Sequence, residues 1–187
     1  MKSEASKVNG GSHPEGSVLI RFWERVDLED VRRITWETWL ATYAAFIPEG
    51  DLRRYLDKQY TVQALGDLMA SEYFRGLLAV EQESVLGYAK VQFHPDEQRC
   101  YLSSLYVIPA AQGKGVGKRL LERAELIARE FGVHEIWLGV MVQNTQALEW
   151  YTRLGFAFVR EEPFTMGNTT VQHRIGYRPI HPDEFLS

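Results

Sequence analysis

Residues 100–142 constrain the fold more than any other stretch. The segment opens with the apolar run CYLSSLYVIP, which reads as a strand and breaks at Pro109. A loop follows in which Gly113, Gly115 and Gly117 alternate. The next run, VGKRLLERAELIAREFG, puts Val116, Leu120, Leu121, Ala124, Ile127, Ala128 and Phe131 on one helical face, and Gly132 stops it. EIWLGVMV is then almost continuously apolar, as expected of a strand buried on both faces. Strand, glycine loop, helix and buried strand in that order predict an α/β domain.

The flanking pattern extends it. VLIRFWE (18–24) reads as a first strand, and Asp27 is expected to cap a long helix. Leu28, Val31, Ile34, Thr35, Thr38 and Trp39 share one face of that helix, while Trp36, Leu40 and Tyr43 form a second apolar stripe. That stripe is open to three uses: acceptor pocket, dimer face or core. PEGDLRRYLDKQY starts another helix, and a short helical segment follows around 61–70. LLAVEQESVLGYAKVQFH reads as two strands with a turn near 83–84. Asn144 caps a short helix carrying Ala147, Leu148, Tyr151 and Leu154, ended by Gly155, and FAFVREE with TVQHRIGYRPI forms a closing hairpin. The expected order is β-α-α-β-β-β-α-β-α-β-β, a mixed α/β sheet flanked by helices. One domain over 17–187 is the simplest division. The polar, Gly- and Ser-rich residues 1–16 lack the apolar core of a signal peptide and are expected to be a disordered arm.

Bulk properties exclude some functions. The formal charge of −4 argues against a general nucleic-acid binder. Cys100 is the only cysteine, so neither an internal disulfide nor a cysteine zinc cluster is available, which suits a reducing cytoplasm. No apolar run reaches membrane-spanning length. His94, His134 and His173 are scattered without metal spacing, and no metal is expected.

A glycine-rich turn at a helix start suits an anion. Its backbone N–H groups point inward, and the helix dipole adds positive potential. Lys114, Lys118 and Arg119 add charge. A tight connection with glycines for geometry alone is the plainer reading. Two nucleotide loops fail on spacing. A Walker A loop needs a first glycine where Gln112 stands and a hydroxyl residue where Arg119 stands. A dinucleotide fingerprint needs G-x-G-x-x-G, and the spacing here is G-x-G-x-G.

Gln112-Gly113-Lys114-Gly115-Val116-Gly117 resembles the Q/R-x-x-G-x-G/A signature of the GCN5-related N-acetyltransferases (GNAT). The run from Asn144 through Ala147, Tyr151 and Gly155 to Phe156 resembles that family's N-x-x-A-x-x-x-Y-x-x-x-G-F segment. The likeness covers nearly the whole chain from residue 18 onward. It implies a central twisted mixed sheet of about seven strands and acetyl-CoA as co-substrate. Amides from Gly113 through Lys114, Gly115, Val116 and Gly117 to Lys118, next to Gln112, would hold the pyrophosphate. The strand edge at Leu105, Tyr106 and Val107 would bond the pantetheine. Asn144 would be a cofactor contact, and Tyr151 would protonate the leaving thiolate. Taken singly, Asn144 also reads as a plain N-cap and Tyr151 as a core tyrosine.

The acceptor is expected to be a primary amine that attacks directly. The fourth strand, from Tyr101 to Leu105, holds no carboxylate to serve as base, although Ser103 or Ser104 is placed to order a water. His173, on a late strand near the acceptor side, is a candidate base. TWLATYAAFIPEGDLRRYL and FTMGNTTVQHRIGYRP are similar to PaiA-like polyamine N-acetyltransferases. That likeness points to a small-molecule amine such as spermidine, with Trp36, Glu37 and Tyr43 as candidate substrate residues beside Trp39, Glu49 and Asp51. Such charges are also what a solvated helix face presents. Val142, Arg174 and Ser104 depart from that branch. The alternatives are a protein or peptide N-terminal acetyltransferase and an acyl-CoA-binding regulatory module without catalysis.

Overall fold

A computed structural model describes residues 17–180; the arm expected over 1–16 and the last residues of the expected 17–187 domain lie outside the described residues. Seven strands make one sheet: β1 (Leu19–Phe22), β2 (Phe74–Glu81), β3 (Ser84–His94), β4 (Arg99–Val107), β5 (Glu135–Met141), β6 (Ala157–Met166) and β7 (Thr169–Pro179). Their order across it is β1-β2-β3-β4-β5-β7-β6. All neighbours run antiparallel except β4 and β5, which the glycine loop and its helix connect in parallel.

The helices are α1 (Leu28–Tyr43), α2 (Glu49–Gln59), α3 (Val62–Met69), α4 (Val116–Glu130) and α5 (Thr145–Arg153). Residues 61–70 thus form a capped helix of their own, and three helices rather than two precede β2. The Thr61 hydroxyl accepts the Ala64 N–H at 2.9 Å, which satisfies a donor the helix start would otherwise orphan. Asp27 stands at the start of α1 but makes no side-chain cap there. Its carboxylate takes two Arg21 guanidinium N–H groups, each at 2.7 Å, and the Glu24 N–H at 2.6 Å. A bidentate charged pair outcompetes a neutral cap, so Asp27 ties β1 to the turn before α1.

Each sheet face carries its own core. Leu120, Leu121, Ala124 and Ile127 of α4 and Leu148 of α5 pack on Ala89, Val91, Ile136 and Leu138. On the other face Leu28, Val31 and Ile34 of α1, Leu52 and Leu56 of α2 and Leu65 of α3 pack on Leu78 and Tyr88. The sequence periodicity of α1 and α4 is met by these contacts. In the second stripe of α1, Tyr43 is core, and Trp36 and Leu40 are half-buried against it.

Two irregularities in the sheet shape the site. Lys90 pairs with Ser104 and Val91 with Leu102, so Ser103 is an extra residue in β4. The bulge reverses the alternation. Cys100 and Leu102 face the α4 core before it, Leu105 and Val107 do so after it, and Ser104 and Tyr106 turn to the α1 side. The second irregularity is a gap. β4 and β5 pair only at Arg99 with Glu135, Cys100 with Ile136 and Tyr101 with Trp137. Beyond that the strands part, while β3 still follows β4 to Val107 and β7 still follows β5 to Met141.

Candidate active site

Parting the strands leaves the facing edges of β4 and β5 without ladder partners, and such N–H and C=O groups need another bonding group. Two residues past the last bridge stand Ser103 and Gly139, both exposed although each lies in a strand interior. They flank the mouth of the gap.

The glycine loop closes over the far end of β4. Gly113 and Gly115 have φ of +75° and +79°, a region that side chains disfavour. A Cβ at either would meet nothing within 4 Å, so the loop faces open space. Gly117 plays a different part, since its missing side chain lets Trp150 come within 3.4 Å of the Cβ position. The Gln112 amide donates to the Val107 carbonyl at 3.1 Å and pins the loop to the strand. The first helical bond of α4 runs from Arg119 N–H to the Gly115 carbonyl at 3.1 Å. The N–H groups of Val116, Gly117 and Lys118 therefore have no acceptor in the helix. No acidic residue stands in this first turn; Lys118 lies 3.6 Å from Glu122, and Lys114 is exposed. Free amides, dipole and bare glycines together fit a diphosphate.

On α5 the Asn144 side chain accepts the Ala147 N–H at 3.2 Å, so the N-cap reading is met. Tyr151 is buried against Trp150 at 4.7 Å and Phe156 at 5.2 Å between ring centres. Its hydroxyl makes no hydrogen bond among the described residues. Burial, with the nearby Tyr43, drives its pKa well above the ordinary phenol value.

Across the sheet lies a cluster that no spacing rule announced. Tyr43, buried on α1, sits in loose hydrogen-bonding reach of Tyr106 and of the Asn144 side chain. Tyr60 shares a 3.1 Å hydrogen bond with Ser104, and Tyr88 shares one of 2.5 Å with Thr35. Trp39 packs among Tyr43, Tyr60 and Tyr106 and stacks on Tyr55 at 5.4 Å. Among the described residues the buried indole N–H of Trp39 has no acceptor, which leaves one donor open to a bound group. Burial raises the pKa of Tyr43, Tyr88 and Tyr106 and pushes Tyr55 up to about 12.

The structure thus brings Tyr43 together with Tyr106, Asn144 and Tyr151. Trp36 and Glu37 sit elsewhere. The Arg53 guanidinium covers Trp36 at 5.0 Å, and Glu37 lies 3.8 Å from Arg33 on the outside of α1. Glu49 pairs with Arg53 at 2.8 Å. Asp51 is buried and binds the β6–β7 turn through Asn168 N–H at 3.1 Å and the Thr169 hydroxyl at 2.6 Å. A cleft of about 350 Å³ between α2 and that turn is lined by Arg54, Tyr55, Lys58, Gln59, Thr165 and Gly167, and reaches the cluster through Tyr55. A second, of about 420 Å³, lies at the opposite end of β4 and holds none of these groups. Among the described residues no group of three or more His, Cys, Asp or Glu is gathered for a metal.

Known proteins share this architecture. The PaiA N-acetyltransferase of Thermoplasma acidophilum, crystallised with coenzyme A, superposes with a TM-score of 0.73 at 25% identity, over 84% of this chain and 98% of that one. The spermidine N(1)-acetyltransferase of the same organism is 27% identical over 144 residues, which is 75% of this chain and 88% of that protein. The streptothricin acetyltransferase of Streptomyces lavendulae is 39% identical, but over 72 residues, and the chain spans only 38% of its length. The sequence model of the acetyltransferase (GNAT) family matches residues 28–156, from the first residue of α1 to Phe156 just beyond α5. That match takes in the glycine loop, the parted strands and Tyr151 alike: the chain belongs to the GNAT family and is an acetyl-CoA-dependent N-acetyltransferase.

Proposed function

We propose that the enzyme transfers the acetyl group directly to a primary amine of a small molecule, with a polyamine such as spermidine the first acceptor to test, and that it works in the cytoplasm. The observation that carries the reading is the gap between β4 and β5, with the anion-binding loop on one side and the aromatic cluster on the other. Bound acetyl-CoA supplies the acetyl group as a thioester. Amides of Gly113 to Lys118 hold its diphosphate, the open edge at Leu105, Tyr106 and Val107 bonds the pantetheine, and Asn144 borders it. Direct transfer is supported by the one cysteine: Cys100 is fully buried, and burial pushes its thiol up to about 12, so it offers no thiolate to carry the acetyl group.

Tyr151 donates the proton to the leaving thiolate. Its raised pKa keeps the phenol protonated at neutral pH and makes it a weaker acid than an ordinary tyrosine. An amine with a lysine-like pKa of about 10.4 is mostly charged at pH 7, and freeing its lone pair costs about 4.6 kcal/mol. The desolvated aromatic cluster favours the neutral form and offers ring faces to a cationic acceptor.

A specific observation favours a second acceptor class. The Lys90 ammonium lies 4.3 Å over the Tyr60 ring, and Lys58 lines the cleft beside Arg54, which is itself paired with Asp51. Glu37, Glu49 and Asp51 are all committed to partners. That balance suits an amine that also bears a carboxylate. A thiol-release assay with spermidine, spermine, amino acids, aminoglycosides and short peptides separates the classes. Turnover of spermidine supports the polyamine reading, and turnover only of amino acids or peptides replaces it. Tight acetyl-CoA binding without turnover of any amine supports a regulatory module instead.

A further inference from the structure

We infer that His173 is the catalytic base of this amine transfer, held over the mouth of the gap by Phe164 and admitted there by Gly139; the inference rests on the amine reading above.

The position follows from register. β5 last touches β4 at Trp137, so Gly139 is the next residue whose side chain would point to the α1 side. Ser103 is its counterpart on β4, and both are exposed. The acceptor amine must cross this opening to reach a group held between the strands. His173 pairs with Met141 on the other edge of β5, and its imidazole leans back across β5. Its Nδ1 lies 3.2 Å from where a Gly139 Cβ would be, with the Ile175 Cδ1 at 3.1 Å. A methyl group there would fit only if the imidazole or Ile175 gave way by a few tenths of an ångström. A glycine in a strand interior weakens the strand, and here its absence of a side chain is what lets the imidazole reach the gap.

Orientation is fixed as well. Phe164 of β6 stacks on the imidazole at 4.4 Å with an 11° tilt, and Tyr55 of α2 supports Phe164 edge-on at 5.6 Å. No hydrogen bond among the described residues occupies either ring nitrogen. The charged group facing it is Glu162, its cross-strand partner on β6, itself 2.5 Å from Arg160. The neighbouring Arg174 is paired with Glu161 at 3.1 Å, and β5 contributes only Gly139 and Met141. Burial lowers the pKa of His173 more than Glu162 raises it, so the ring is neutral and basic at pH 7.

A neutral imidazole is far too weak to deprotonate a free alkylammonium, so the first proton goes to bulk water. The amine nitrogen then forms the C–N bond to the acetyl carbon and becomes strongly acidic as it does so. His173 takes that second proton, the C–S bond breaks, and the thiolate takes a proton from Tyr151. Water carries a proton from the His173 imidazolium to the Tyr151 phenolate, which restores both groups.

The test uses the full chain and the best acceptor among those amines. His173→Gln is expected to lower kcat by about 10²- to 10³-fold, in the range of a lost general base, with acetyl-CoA affinity by calorimetry unchanged. In the wild type, kcat/KM falls on the acid side with a pKa below about 6.5, which NMR titration of His173 without any ligand should reproduce; the Gln variant lacks that limb. Added imidazole should restore activity to His173→Ala, an effect no packing role would give. Gly139→Ala should lower kcat while the NMR titration of His173 shifts. A Gln variant that keeps wild-type kcat and the acid limb, from an enzyme that turns amines over, overturns the base assignment alone. No amine turnover by the wild type overturns the amine reading and this assignment with it.

Discussion

Tyr151 and Gly115 show how single positions divide the labour. Ionising a buried phenol is costly, so Tyr151 holds its proton at any physiological pH. A thiol with a pKa of about 8.5 is already a fair leaving group, so the acid helps without being indispensable. Tyr151→Phe keeps the ring packing on Trp150 and Phe156 and removes only the proton. It should lower kcat by about 10²-fold or less with little change in KM for acetyl-CoA. Steady-state kinetics check this, and unchanged kcat would remove Tyr151 from the mechanism. Gly115 works by what it lacks. Alanine there must hold φ near +79°, which costs about 1–2 kcal/mol, yet its methyl meets no protein atom. The folded state should survive Gly115→Ala, with its melting midpoint lowered by roughly 2–8 °C. The methyl enters the space where the diphosphate would lie, so the Kd for coenzyme A should rise by about tenfold or more. Calorimetry reads the affinity. An unchanged Kd would move the diphosphate away from this loop.

At the scale of elements, the strands and helices were legible wherever one segment carries its own pattern. The faces of α1 and α4 were readable because burial repeats every three to four residues. The glycine loop was readable because positive φ at Gly113 and Gly115 favours glycine there. What stayed hidden depends on distant partners. Tyr60 and Tyr88 enter the site through Ser104 and Thr35, 44 and 53 positions away. The bulge at Ser103 appears only in the register against β3. Asp51 is the clearest case. Its sequence neighbourhood suggests an acceptor-side carboxylate, and the fold uses it to fasten α2 to the β6–β7 turn. Hydrogen bonds from Thr169 and Asn168, then the Arg54 ion pair, hold its carboxyl below the usual range. A depressed carboxyl pKa contributes stability that is present above the unfolded value near 3.9 and is lost as pH falls through the folded value. Asp51→Asn should therefore melt at lower temperature than wild type at pH 6–7, and the difference should shrink below about pH 4. Thermal melts of both proteins across pH 3–7 test it. A constant difference over that range would show that the charge contributes nothing to the clamp.

The whole molecule is two cores divided by one sheet, and the sheet is interrupted where the chemistry belongs. Helix α4 anchors one core, and the fully buried Leu120 is central to it. Leu120→Ala should cost about 2–5 kcal/mol through lost burial and the cavity left behind. The gap between β4 and β5 contributes no such packing, since its edges have only each other to bond and stand apart. A ligand that bonds both edges supplies contacts the free fold lacks, and it binds the folded chain only. At 100 times its Kd, acetyl-CoA should add about 2.7 kcal/mol of stability. For a domain of this size that corresponds to a rise of roughly 5–11 °C in Tm. Hydrogen exchange should localise the gain: amides of β4 beyond Tyr101, of β5 beyond Trp137 and of the α4 start should slow, while those of β1 and β2 change little. The contrast separates the parts of the site. 3′-Phosphoadenosine 5′-diphosphate keeps the diphosphate but lacks the pantetheine, and should protect the α4 start alone, leaving the strand edges exchanging as in the free protein. Protection of both strand edges by the nucleotide alone would mean that the gap closes by itself once the loop is filled, and the pantetheine would then have no place between the strands.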